Sequence, residues 1–453
     1  NNFGQLGDAT FINKTTPVKV LKGAYLGTTY LGDSLNNPII GISCGFQHSM
    51  ALAADGTVYA FGRNELGQLG DNTVVARNTP IRVLKGQYTG TSFLGDITSN
   101  PIVKISTSTQ HNLAIDAQGK VYAFGSNGDG QLGNNSITNA YTPKAVLKGA
   151  YVGSTYLGDS LDNPIIHIST GLFHSAALAA DGTLYSFGRN AEGQLGDGTL
   201  TQRLKPIRTV KGPQYSGTNY LGDNASNPIV SISSGSFHNL VLMADGTVFT
   251  YGFNLFGQLA NGNLITQNAP VKALKGAYSG LTYLGDKNNN PIVSVSAGDV
   301  YSFGISADGY VLSFGFNGDG ALGDNTIADK YLPVYSHGVG DTGYINVLKN
   351  QRVPNLRTVP ANNVTFTSAI LNGLVNPNVM PTTVSFEYGL TPAFGTTVNL
   401  LGTLFHDADS FRKVKITGLT PHKTYYFRIK ASNAAGIANG PTRTFITGGQ
   451  SNI

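Results

Sequence analysis

His48-Ser49-Met50-Ala51-Leu52-Ala53-Ala54-Asp55-Gly56-Thr57-Val58-Tyr59-Ala60-Phe61-Gly62 sets two runs of apolar and small residues on either side of Asp55-Gly56. Asp-Gly supplies the positive φ angles of a tight turn, so the stretch predicts a β-hairpin. Upstream, Ile39-Ile40-Gly41-Ile42-Ser43 and, earlier, Pro17-Val18-Lys19-Val20 predict two further short strands. Together they make one four-stranded unit.

The unit recurs. Gly-Gln-Leu-Gly-Asp or a close variant begins at Gly4, Gly67, Gly130, Gly193, Gly257 and Gly320, in steps of 63, 63, 63, 64 and 63. His48, His111, His174 and His238 keep the same step, with Tyr301 in fifth place. Asp55-Gly56 returns as Gln118-Gly119, Asp181-Gly182, Asp245-Gly246 and Asp308-Gly309. Short strands repeated without helical periodicity predict an all-β propeller, one blade per unit, each packed only on its neighbours. Six corners but five hairpins predict five complete blades plus a partial terminal blade, with six or seven in the full protein. The unfinished last unit offers strands near 332–336 and 343–348. Its missing hairpin is expected from residues upstream of Asn1 or from another chain, because an unpaired blade edge invites association.

Composition agrees with many strands and turns. Charged residues are 12% of the 453, and there are 58 glycines; globular chains average about 25% charged. The net charge of +5 comes with no basic run, which argues against nucleic acid as a partner. No apolar stretch is long enough to predict membrane insertion. Cys44 stands alone and can form no internal disulfide.

Residues 48–70 and 174–196 resemble the regulator of chromosome condensation repeat, and the resemblance runs from residue 1 to about 348. It implies a propeller, typically of about seven blades. Two departures stand out. The family's usual Trp before Gly is Phe61, Phe124, Phe187, Tyr251 and Phe314 here, and each unit carries extra residues. After Leu348 the repeat stops, giving a propeller over 1–349, a linker at 350–355 and a last domain over 356–453. Strands near 366–374, 383–388, 411–418, 424–432 and 442–447 predict an immunoglobulin-like β-sandwich. Gly418-Leu419-Thr420-Pro421-His422-Lys423-Thr424-Tyr425 resembles the fibronectin type III signature, with Tyr425 at the tyrosine corner and Leu371 in place of the family's early core Trp. That resemblance implies a secreted, extracellular or cell-surface location. No Arg-Gly-Asp tripeptide occurs.

Several motifs invite a chemical reading and are better read structurally. Gly41-Ile42-Ser43-Cys44-Gly45 has the nucleophile-elbow spacing, but Ser43 is a repeat position with no helix after it. Gly128-x-Gly130-x-x-Gly133 and Gly318-x-Gly320-x-x-Gly323 lack the helix whose N-terminus would hold a pyrophosphate. One histidine per blade spreads the series around a ring instead of onto one metal ion, so each is expected buried and bonded to a neighbouring loop. Asp286-x-Asn288-x-Asn290 starts like a calcium loop, but Pro291 takes the glycine position; this segment and its mates at Asp33, Asp96 and Asp159 are expected as Asx-capped turns. Asn13, Asn134, Asn224 and Asn363 lie in Asn-x-Ser/Thr sequons. No catalytic residue, metal or cofactor is assigned.

The inserted residues are the candidate binding site. Each carries a Lys, then Tyr-x-Gly and a second aromatic: Lys22, Tyr25 and Tyr30; Lys85, Tyr88 and Phe93; Lys148, Tyr151 and Tyr156; Lys211, Tyr215 and Tyr220; Lys275, Tyr278 and Tyr283. Related by rotation, these loops must ring one face, either sealing blade seams or contacting a partner. The function expected is a non-enzymatic extracellular structural, adhesion or interaction scaffold. It binds a protein partner or further copies of itself, as a surface layer or filament, with glycan as a further ligand. The alternative is a propeller that inhibits a partner protein or acts as its exchange factor. A secreted glycan-active enzyme is disfavoured, since it needs two carboxylates about 5–10 Å apart and the acids repeat at separated ring positions.

Overall fold

The computed structural model describes residues 1–34, 37–338, 340, 343–347, 353–378, 382–400, 404, 409–433 and 435–448. The first blade is an antiparallel meander of β1 (Ile39–Cys44), β2 (His48–Ala53), β3 (Val58–Gly62) and β4 (Arg77–Arg82). The second holds β5–β8 (Ile102–Thr107, His111–Asp116, Val121–Gly125, Ala140–Ala145) and the third β9–β12 (Ile165–Thr170, His174–Ala179, Leu184–Gly188, Arg203–Arg208). The fourth holds β13–β16 (Ile229–Ser234, His238–Met243, Val248–Gly252, Gln267–Lys272) and the fifth β17–β20 (Ile292–Ala297, Tyr301–Ser306, Val311–Gly315, Lys330–Tyr335). The predicted hairpin is β2–β3, with Gly56 at φ 93° in its turn.

The blade boundary differs from the sequence expectation by one strand. Pro17–Val20 forms no strand, and its repeat mate Pro80-Ile81-Arg82 lies in β4, paired with β3. Each outer strand therefore follows its hairpin instead of preceding it. Proline is tolerated there because an edge strand can spare one N–H. The fifth blade is thus completed by β20, and the partial unit lies at the N-terminal side of β1, where residues 1–34 supply a corner and an inserted loop and, among the described residues, no sheet.

Apolar cores fill the seams. Leu113, Ile115, Val121 and Val146 of the second blade pack with Ile168, Ala177, Tyr185 and Phe187 of the third, all nearly excluded from water. Among the described residues the two end faces of the arc are less covered than the seams between blades. Ile42 in β1 is 77% exposed, whereas its mates Ile168, Ile232 and Val295 are 3%, 3% and 8% exposed. At the other end β18 buries only alternate residues, while β10 and β14 are buried throughout.

Two sheets follow. One has the order β21 (Asn355–Asn362), β22 (Ser368–Asn376), β25 (Ser410–Thr417). The other runs β24 (Thr396–Asn399), β23 (Thr383–Gly389), β26 (Thr424–Asn433), β27 (Gly436–Asn439), with β28 (Arg443–Ile446) also on β26. Leu371, Phe386, Phe427 and Ile429 form their buried core. The five expected strands appear within a few residues; β21, β24 and β27 are additional. Within the expected linker, residues 350–352 lie outside the described set, and Asn355 already opens β21. The Tyr425 hydroxyl accepts the Thr420 N–H at 2.9 Å, the bond a tyrosine corner makes.

These sheets dock on the propeller. Asn362 and Asn363 donate to the Asp162 carboxylate at 3.1 and 3.0 Å, and Lys413 Nζ reaches the Asp162 carbonyl at 3.3 Å. Lys104 pairs with Asp409 at 3.7 Å. Val359, Leu374 and Phe411 join the apolar cluster containing Ile166 and Ile229.

Candidate interaction surfaces

The inserted loops sit at the end of the blades that carries the β2–β3 turn. Asn37 and Asp55 bond reciprocally there, side-chain amide to carboxylate and backbone N–H to side-chain carbonyl, each at 2.8 Å. The first tyrosine of every loop is interior. Tyr25, Tyr88, Tyr151, Tyr215 and Tyr278 are buried, and the first four meet Tyr59, Tyr122, Tyr185 and Phe249 edge-on at 5.5–5.8 Å. Tyr88 and Tyr151 donate their hydroxyls to the Asn100 and Asn163 carbonyls at 2.5 and 2.6 Å. These tyrosines seal seams and offer no area to a partner.

The second aromatic is half-buried under a cation. Lys19 covers Tyr30 at 4.7 Å, Arg82 covers Phe93 at 5.1 Å and Lys120 covers Tyr156 at 4.1 Å. Arg208 covers Tyr220 at 5.1 Å and Lys272 covers Tyr283 at 5.0 Å. Lys22, Lys148, Lys211 and Lys275 donate to carbonyls of their own loops at 3.2–3.3 Å. Lys22, Lys85 and Lys148 are exposed, and Lys211 and Lys275 are half-buried. Each loop is pinned by its aspartate. Asp33 accepts N–H bonds from Thr28, Thr29 and Tyr30, and the Tyr30 and Thr29 amides with the Thr28 hydroxyl hold its carboxyl well below the ordinary range. Asp286 accepts from Leu281, Thr282 and Tyr283 in the same way. The loop of the third blade also serves as a docking point, because Asp162 is the residue that holds the C-terminal sheets.

The histidines make seams. His48 Nε2 bonds Asn112 Oδ1 at 2.8 Å, His111 bonds Ser175 at 2.9 Å, His174 bonds Asn239 at 3.2 Å and His238 bonds Ser302 at 2.9 Å. Asn112 Nδ2 is spent on the Gln68 carbonyl, so its oxygen accepts and the imidazole Nε2–H donates. Burial lowers the pKa to about 4 for His48 and His174 and to about 3 for His111 and His238. Ser43 likewise bonds the Thr107 hydroxyl of the next blade at 2.5 Å.

The opposite end carries a funnel of about 600 Å³ lined by the loops after the five inner strands, from Cys44-Gly45-Phe46 to Ala297-Gly298-Asp299. Beside it runs a ridge of half-buried phenylalanines that the sequence reading did not single out. Phe173 meets Phe237 at 6.2 Å, Phe237 meets Phe253 at 6.3 Å, Phe253 meets Phe256 at 6.1 Å and Phe256 meets Phe316 at 5.2 Å. The signal for it is visible only across repeats, as Gln47 and Gln110 occupy the position of Phe173 and Phe237.

Residues 1–280 match the RCC1-like domain. The chain belongs to the RCC1-like domain family. Among curated relatives, human probable E3 ubiquitin-protein ligase HERC6 is 29% identical over 65% of this chain and 25% of its own length. The ultraviolet-B receptor UVR8 of Arabidopsis thaliana is 26% identical over 73% of this chain and 63% of its own. The match thus spans less than two thirds of either relative. Among solved structures, human WBSCR16 superposes with a TM-score of 0.53 at 23% identity, covering 67% of this chain and 68% of that one. Yeast RCC1 (Prp20), solved bound to Kap60, gives 0.50 at 18% identity, covering 84% and 81%. These likenesses concern the RCC1-like fold alone.

Proposed function

We propose that this chain is a non-enzymatic interaction scaffold that binds a protein partner through its propeller faces. The observation carrying this reading is the series of inserted loops along the arc, each pinned by its own aspartate and carrying a half-buried aromatic under a cation, with Lys22, Lys85 and Lys148 exposed. Rigid amphipathic groups lose little entropy on binding, which suits recognition more than chemistry. The yeast relative was solved with a protein, Kap60, and this supports reading the propeller as a protein-binding surface. The Tyr425 corner supports a β-sandwich of fibronectin type III kind, and with it a secreted or cell-surface place for the scaffold. Self-association into a layer or filament is part of the same reading.

The test is cross-linking mass spectrometry on native material through lysine. Cross-links from Lys22, Lys85 and Lys148 to a second protein or a second copy support the surface. Cross-links confined to the interior of one chain overturn it.

A further inference from the structure

At the funnel end, one repeat position holds Arg63 in the first blade, Ser126 in the second, Arg189 in the third, Phe253 in the fourth and Phe316 in the fifth. The third blade shows what an arginine does there. Arg189 pairs with Glu192 at 2.8 Å and lies over Phe173 at 5.9 Å and Phe237 at 5.6 Å. Arg63 repeats the arrangement, paired with Glu65 and lying over Phe3 at 5.1 Å. The chain therefore twice builds the same assembly: a guanidinium held between a carboxylate and aromatic faces.

In the fifth blade the acid and the aromatics are present without the cation. Asp319 is the repeat mate of Glu192 and is exposed, and among the described residues no arginine or lysine pairs with it. Phe316 stands where Arg189 stands, and it adds its ring to those of Phe253 and Phe256. Asp299 lies exposed beside the same ridge, its carbonyl accepting the Ser236 N–H next to Phe237. The fold does not need these phenylalanines, since Gln47, Gln110 and Ser126 fill the equivalent positions in other blades.

We propose that the ridge of Phe237, Phe253, Phe256 and Phe316, flanked by Asp299 and Asp319, is a docking site for arginine side chains of a partner protein. A planar guanidinium stacks on a ring face while its fork bonds a carboxylate, which a lysine ammonium does less well. The site lies at the end opposite the inserted loops and does not depend on their being a contact surface.

The probe is a short peptide of alternating Gly and Arg, compared with its citrulline and lysine counterparts by calorimetry on the full chain. The arginine peptide should bind at least about tenfold more tightly than the citrulline one, and binding should weaken with salt. Phe316→Arg re-creates the blade-three pairing inside the chain and should abolish peptide binding with an unchanged melting temperature. Asp319→Asn should weaken it about tenfold. Three outcomes overturn the proposal: no binding at about 1 mM peptide, equal binding of arginine and citrulline peptides, or unaltered binding by Phe316→Arg. Self-association of the chain that Phe316→Arg abolishes and the peptide does not compete would also overturn it, by assigning the ridge to a second copy.

Discussion

His48 Nε2 lies 2.8 Å from Asn112 Oδ1 in the next blade, and Asn112 Nδ2 in turn donates to the Gln68 carbonyl at 2.8 Å. This two-bond relay returns at every described seam from the first blade to the fifth, with Asn or Ser in the middle place. Nε2–H can donate in either charge state, so it is burial, more than the relay, that holds these imidazoles neutral.

Acid should therefore loosen the propeller before the carboxylates titrate. The unfolded chain takes up histidine protons near pH 6.5, the folded one only at about 4 or about 3. More protons are bound by the unfolded state in that window, so stability is full above pH 6.5 and falls as pH drops below it. By pH 5 the loss is about 2 kcal/mol per histidine. Denaturant melts of the parent and of His238→Gln at pH 7 and pH 5 check this. The variant should show a pH dependence shallower by about 2 kcal/mol.

Equivalent residues should differ in cost according to where their seams lie. Ile168→Ala empties a covered seam and should cost about 3 kcal/mol, whereas Ile42→Ala, at 77% exposure, should cost under about 0.5 kcal/mol. Equal costs in chemical denaturation would mean that something covers β1 in solution.

Each corner from the second to the sixth hangs on one buried asparagine. Asn190 donates to Asp197 Oδ1 at 3.0 Å and to the Thr199 and Thr201 carbonyls, and accepts the Leu195 N–H at 2.9 Å. Asn190→Ala strands these groups and should destabilise by about 3 kcal/mol, read as a lowered denaturant midpoint.

Docking of the C-terminal sheets should depend on a few contacts. Asp162→Ala with Phe411→Ala should release them, raising the radius of gyration in X-ray scattering and splitting one thermal transition into two. An unchanged scattering profile would place the docking energy elsewhere.

The hairpins, corners and repeat were legible because Asp-Gly turns and strand periodicity are local signals. The outer strand was assigned to the wrong blade because Pro17–Val20 and its mate Pro80-Ile81-Arg82 read alike, and only pairing decides which hairpin each joins. Docking through Asp162 was invisible because the loops of the other blades carry the same Tyr and Lys signals without making that contact. The buried first tyrosines and half-covered second aromatics could not be told apart, since both are simply aromatic in a loop until Tyr59 and Arg82 are placed against them.

The seam relay also has a consequence for inheritance. The first four blades each present a histidine forward, and all five carry an Asn or Ser bonded to a Gln carbonyl behind, so the same joint serves blades in more than one order. Duplication or loss of one coding unit of 63 or 64 residues that keeps its histidine and its Asn or Ser would preserve the bond across the seam. Descendants of such a gene should vary in whole units, with alleles differing in blade number more readily than in seam chemistry.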